Sequence, residues 1–217
     1  MLIGHYAVAL GAKKLAPRTS LGTLVAAAAF LDLLWPFFLL AGVEHVVIAP
    51  GNTAFTPLEF TAYPWSHSLM MAVVWGLAFG AIYFAVKGNR TGAIIVGALV
   101  VSHWFLDVLV HRPDLPLTPF GEARVGLGLW NSVAATLVIE LGMFAAGVWI
   151  YISVTRTRDR VGLWGLIAFL ALCLIVYAGA AFGPPPPNVP AIAYADLGQF
   201  LFIALAAWVD AHRASRQ

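Results

Sequence analysis

In the stretch Ser102-His103-Trp104-Phe105-Leu106-Asp107-Val108-Leu109-Val110-His111, two imidazoles and a carboxylate recur every fourth residue. On a helix that spacing puts His103, Asp107 and His111 on one face, a turn apart. Two ligands one turn apart can share a metal ion, as paired histidines do on the helices of zinc proteases. The third, a turn further on, can serve a second ion or orient the first. The competing reading of this face is a hydrogen-bonded His–Asp pair that packs two helices together. Other ionisable side chains stand in equally apolar surroundings: His5, Asp32, His67, Glu140 and Asp196.

The elements that must position these groups follow from composition. Of 217 residues, 61% are hydrophobic and 10% charged, and mean hydropathy is +0.88. A soluble domain carries roughly 25% charged residues, so the solvent for this chain is expected to be lipid. The fold expected is all-α, a polytopic membrane helix bundle forming a single domain over 1–217. A spanning helix needs about 20 apolar residues. Such segments run approximately over 20–42, 64–86, 92–111, 128–153, 161–182 and 192–211, bounded by Ala16-Pro17, Gly88-Asn89, Arg112-Pro113 and the prolines 184–187. The stretch 2–16 is helical in pattern but short, either a thin tilted span or a re-entrant segment, which makes about seven helices. Its lysines, Lys13 and Lys14, lie at the wrong end for a signal peptide. One cysteine, Cys173, excludes an intrachain disulfide. No nucleic-acid motif or Gly-rich phosphate loop is present, so no nucleic-acid partner is expected.

Charge sets the expected orientation. With the amino terminus outside, Lys13, Lys14, Arg18, Lys87, Arg90, Arg156, Arg158, Arg160, Arg213 and Arg216 fall on one side, and only Arg112 and Arg124 on the other. Basic residues favour the inside, so the His and Asp groups lie in the outer half of the bilayer. A charged side chain within the bilayer costs about 2.5–3.5 kcal/mol on insertion scales, and each needs a partner or a use. Pro36 stands four residues after Asp32, where its ring meets the Asp32 carbonyl, so a kink is expected there. His67, in Tyr63-Pro64-Trp65-Ser66-His67-Ser68, and His5 both read by themselves as interfacial residues at helix ends. His45 and His212 read as solvated, and Asp196 as a cap for the last helix.

A histidine near the amino terminus, an aspartate in the next helix, His67-Ser68 at a later helix start and Ser102-His103-x-x-x-Asp107 together resemble a bacterial family. It is the inner-membrane family described as metal-dependent hydrolases, some of whose members are regulated by the LexA repressor. The stretches TAYPWSHSL (61–69), HRPDLPLTP (111–119) and GLGLWNS (126–132) are similar to a subgroup of it, and the likeness covers roughly 1–140. The family's Pro-Asp-x-Asp pattern reads Leu31-Asp32-Leu33-Leu34 here, with one carboxylate of a fully dinuclear site missing. The order of candidate ligands is also similar to that of zinc-dependent phospholipases C. The resemblance implies a divalent metal at the outer, periplasmic side of a bacterial inner membrane, held by His5, Asp32, His67, His103 and Asp107.

Three functions compete. In the first, a metal-dependent hydrolase cleaves an ester or phosphoester, in a small-molecule or lipid-linked substrate. Imidazole and carboxylate ligands without thiolate suit zinc best, then manganese or iron. His111 is then the candidate general acid, Glu140 the candidate proton acceptor or further ligand, and Arg112 the partner of an anionic substrate group. The long outer segment 43–63 would lie over the site as a lid. In the second, the same groups relay ions or protons, although the inner halves of the helices are almost purely apolar. In the third, the cluster is a non-catalytic structural metal or polar staple.

Overall fold

The computed structural model describes residues 1–216. The first helix, α1 (Ile3–Ala12), has ten residues, about 15 Å at 1.5 Å per residue and half of what a bilayer core requires. It is therefore a buried half-length helix, with Ile3, His5, Tyr6, Ala9 and Leu10 all enclosed. Glu140 closes its start: Oε2 accepts from the backbone N–H of Leu2 (2.9 Å) and of Gly4 (3.3 Å), a carboxylate at the positive end of the helix dipole.

Next come α2 (Leu21–Ala28), capped by the Ser20 hydroxyl, and α3 (Phe30–Leu40). They are bent by 55° at Ala29. The kink expected at Pro36 is thus corrected. Pro36 stays inside α3, where it removes only its own N–H from the ladder. The break comes earlier because the Ala28 carbonyl is taken by the imidazole Nδ1 of His103, at 2.8 Å. An antiparallel hairpin, β1 (His45–Ile48) with β2 (Leu58–Ala62), fills the outer loop. The segment expected over 64–86 is then split into α4 (Pro64–His67) and α5 (Leu69–Lys87), with Ser68 extended between them and its hydroxyl capping α5.

Gly88, at φ +62°, makes the left-handed turn into α6 (Arg90–Val110). These two helices cross where glycines face each other. A Cβ on Gly76 would lie 2.7 Å from the Gly97 carbonyl oxygen, the small-residue packing that membrane helices favour. A short ribbon, β3 (Leu115–Pro116) with β4 (Arg124–Val125), precedes α7 (Val133–Val154). β5 (Thr155–Thr157), α8 (Arg160–Phe182), α9 (Val189–Leu197), α10 (Gln199–Ala211) and β6 (Arg213–Ser215) complete the chain, and β5 pairs with β6.

Helices α5, α6, α7, α8 and the α9–α10 pair are long and apolar enough to cross a membrane, and the bent α2–α3 pair makes a sixth candidate. Only 17–44% of each spanning window is buried within the protein. The rest, such as Leu77 at 70% and Val138 at 72% exposed, is apolar surface of the kind that lipid covers. This is the fold of a multi-pass membrane protein.

At one end of the bundle the polar groups form a closed knot. Lys13 Nζ donates to Asp210 Oδ2 (2.6 Å) and to the Thr19 carbonyl (2.9 Å). Tyr151 donates to Asp210 Oδ1 at 2.8 Å, and Leu21 N–H to Oδ2 at 3.0 Å. The second polar cluster lies at the far end of α1.

Candidate metal centre

Four segments meet there. α1 brings His5, α3 brings Asp32, α4 brings His67, and α6 brings His103 and Asp107. His103 Nε2 lies 3.1 Å from Asp107 Oδ2 and 3.5 Å from Asp32 Oδ1. His67 Nε2 is 3.2 Å from Asp32 Oδ1 and 3.9 Å from Asp107 Oδ2. His5 Nε2 is 3.2 Å from Asp107 Oδ1, and its ring stacks on that of His103 with centroids 3.6 Å apart. The Met1 amino group also reaches Asp107 Oδ1. The expected convergence of five side chains therefore holds, with His5 among them.

Two of the imidazoles are aimed by their outer nitrogens. A carbonyl only accepts, so His103 Nδ1 carries the proton it donates to Ala28. In the neutral ring the Nε2 lone pair then faces the two carboxylates. Although His103 Nε2 is within 3.5 Å of both, it makes no hydrogen bond in acceptable geometry and is buried. A neutral ring so placed turns its lone pair on two carboxylates, a repulsion that a bound cation or a proton on Nε2 would relieve. His67 is held by a relay. Glu44 Oε2 accepts from the Ser66 hydroxyl at 2.6 Å, so that hydroxyl is free to accept from His67 Nδ1 at 2.7 Å. This too leaves Nε2 as the inward ligand atom, and outer partners of this kind are what fix metal-binding imidazoles.

Spacing tests the fit. Ligand atoms about 2.1 Å from a common ion are about 3.0–3.4 Å apart for right-angle to tetrahedral geometry. Four of the five distances above lie near that range. The donor atoms fall into two trios, His5–His103–Asp107 and Asp32–His67–His103, each mutually within 4.8 Å. His103 belongs to both, and one nitrogen lone pair serves one ion, so the two trios are not independent sites. The residues present fit a metal ion.

Comparison with family models, curated proteins and solved structures finds no match. The site must be read from its own geometry.

The three expected catalytic groups are not drawn into the cluster. Glu140 is engaged on the start of α1. His111 ends α6 and turns into an outer aromatic layer, its Nδ1 donating to Asp114 Oδ1 at 2.9 Å and its ring 4.5 Å from Trp130 and 4.8 Å from Phe60. One extra turn along α6 has carried it out of the ligand plane. Arg112 Nη1 donates to the Asn52 carbonyl at 3.4 Å. Asp196 caps nothing with its side chain, since α10 begins at Gly198 without a side-chain cap. His212, expected in solvent, pairs with Asp159 at 2.7 Å.

The segment 43–63 does lie over the cluster. Its Phe60 packs on Trp35, Tyr63, His111 and Trp130. It also supplies Glu44, 1% exposed, which sequence reasoning missed. Glu44 Oε1 accepts from Trp65 N–H (2.7 Å) and Ser66 N–H (2.8 Å), so one carboxylate caps α4 and aims His67. The only trace of it in sequence is an acid preceding a Pro64-Trp65-Ser66 helix start by twenty residues.

Proposed function

We propose that this protein is a metal-dependent hydrolase embedded in a bacterial inner membrane, acting at the outer, periplasmic side on an ester or phosphoester, small-molecule or lipid-linked. One observation carries the reading: His103 Nε2, buried and without a hydrogen bond, faces two carboxylates while its other nitrogen is committed to Ala28. His5, Asp32, His67, His103 and Asp107 would hold the ion, and their nitrogen and oxygen donors suit zinc, then manganese or iron. When bound, such an ion polarises an ester oxygen and acidifies water.

The chain's own residues do the rest. Asp32 has a side chain 26% exposed, against 6% or less for the other four. It is the ligand a substrate meets and the carboxylate placed to take a proton from water at that opening. Ser66 with Glu44, and Ala28, hold two imidazoles with their lone pairs inward, while the Phe60 layer excludes water from above. Orientation rests on the basic residues, ten at the knot's end of the chain's topology and two at the other.

The test is metal content by elemental analysis of protein purified and reconstituted with zinc, manganese or iron. Wild type is expected to retain about one ion per chain, and His103→Ala and Asp107→Ala none. Wild type that holds no ion removes the hydrolase and leaves a polar staple, a reading favoured by the 3.2 Å His5–Asp107 and His67–Asp32 contacts.

A further inference from the structure

The last three helices carry none of the ligands, yet they build a wall against the most accessible one. A cavity of about 280 Å³ opens beside Asp32, between α1, α3, α8 and the α9–α10 pair. Its lining is apolar (Tyr6, Cys173, Val176, Phe202) apart from Asp32, Asp196 and Gln199. A second cavity, about 630 Å³, lies between the 50–58 segment and the Pro184–Pro187 run and shares Ala180, Ala195 and Asp196 with the first. The two chambers are neighbours, and Asp196 lines both. Val176, at 45% exposed, stands on the lipid side of the inner one.

Charge narrows what can enter. No basic side chain lines either chamber. The two outer arginines are turned elsewhere, Arg112 to the Asn52 carbonyl and Arg124 to the carbonyls of Asp114 and Thr61. The acidic or basic side chains on the lining are Asp32 and Asp196, both carboxylic acids. In a low-dielectric passage an anion therefore finds no countercharge to offset its loss of water.

We propose that these chambers admit the substrate of the metal site from the outer leaflet past Asp196, and that the substrate is a hydrocarbon-chain carboxylic ester with an uncharged or cationic polar group. This rests on the hydrolase reading and narrows it: a phosphate ester finds no countercharge on the way in, whereas an acylglycerol-type ester finds an apolar wall for its chain and carboxylates for its hydroxyls.

The single native cysteine reads both properties. Cys173 lines the inner chamber, so its labelling by methanethiosulfonates of similar size bearing an ammonium, no charge or a sulfonate reports the field there. Protein in phosphatidylcholine vesicles is used, and each rate is referred to that of a Cys173→Ala, Asn52→Cys variant. The neutral reagent is expected to outrun the sulfonate by about tenfold or more, and Asp196→Lys, which supplies the missing countercharge, to close most of that gap. Monoolein added to the vesicles is expected to slow the neutral reagent several-fold, and phosphatidic acid to leave it unchanged. Equal rates for all three reagents, a gap untouched by Asp196→Lys, stronger protection by phosphatidic acid, or no labelling by any reagent each overturn the proposal. Metal content of the same samples is scored separately. Ordered labelling and monoolein protection in protein that binds no ion overturn the role as a substrate chamber and leave a lipid-binding one.

Discussion

The two polar clusters at the ends of α1 are built from the same kinds of side chain and satisfied in opposite ways. At the Lys13 end, Asp210 accepts from an ammonium, a phenol and a backbone N–H, and every donor points at an acceptor. At the His5 end, imidazole nitrogens and carboxylate oxygens point at one another, and His5 Nδ1 and His103 Nε2 have no hydrogen-bond partner at all. Buried polar groups are normally paired, so the first arrangement is complete as a staple. The second pairs Asp107 with the Met1 ammonium yet leaves two imidazole nitrogens without a partner. Burial and residue type do not separate the two clusters; the direction of the lone pairs does.

The sharpest break of that comparison is at the staple. Asp210→Ala leaves the Lys13 ammonium, its side chain 7% exposed, without a counter-charge, and removes the acceptor for Tyr151. Losing one partner of a buried pair destabilises by about 3–5 kcal/mol. Unfolding in detergent should show a loss of that size, while the variant that still folds binds metal as wild type does. Equal stability would mean that the knot contributes nothing, and a loss of metal would join the two clusters into one cooperative unit.

A smaller effect is expected at the relay behind His67. Glu44→Gln keeps the volume but puts an amide where three donors now meet a carboxylate. Removing a partner that orients a metal-binding imidazole lowers affinity by about 10–100-fold. Competition with a chromogenic chelator measures it, and Asp210→Ala serves as the control that should not move. Unchanged affinity in Glu44→Gln would take His67 out of the ligand set.

The contrast also explains what could be read from the chain alone. The approach of His103 to Asp107 was legible because it lies within one helix and follows from a spacing of four. Asp32, His67 and His5 were legible as costs, since ionisable groups in apolar segments must be offset somewhere, and convergence offsets all of them. The spans were legible from composition. The bend was not: Pro36 signals a kink through its missing N–H, but the break at Ala29 arises from His103 taking the Ala28 carbonyl, a contact 75 residues away in sequence. Glu44 was invisible for the same reason, as its partners lie on another segment. His111 shows the limit of periodicity, which places a residue on a face but not at a height.

The smallest expected effect lies outside the bilayer, where Asp159 begins α8 as its N-cap, accepting from Gly162 N–H at 2.9 Å and from His212 Nδ1 at 2.7 Å. The hydrogen bond from His212, then that from the Gly162 N–H, hold its carboxyl below the usual aspartate range. The group is exposed, so solvent screens the gain and the effect on stability is small. Its sign is fixed all the same. A carboxyl whose pKa is lower folded than unfolded stabilises fully above the unfolded value, about 3.9, and loses that contribution as pH falls through the folded value. Asp159→Asn keeps an oxygen to cap the helix and removes the charge together with the oxygen that accepts from His212. The thermal midpoint of wild type should therefore exceed that of Asp159→Asn near neutral pH, with the gap shrinking on acidification below about pH 4. A gap that stays constant down to acid pH would mean that the side chain acts there as a cap alone, and that this end of the bundle owes nothing to the His212–Asp159 pair.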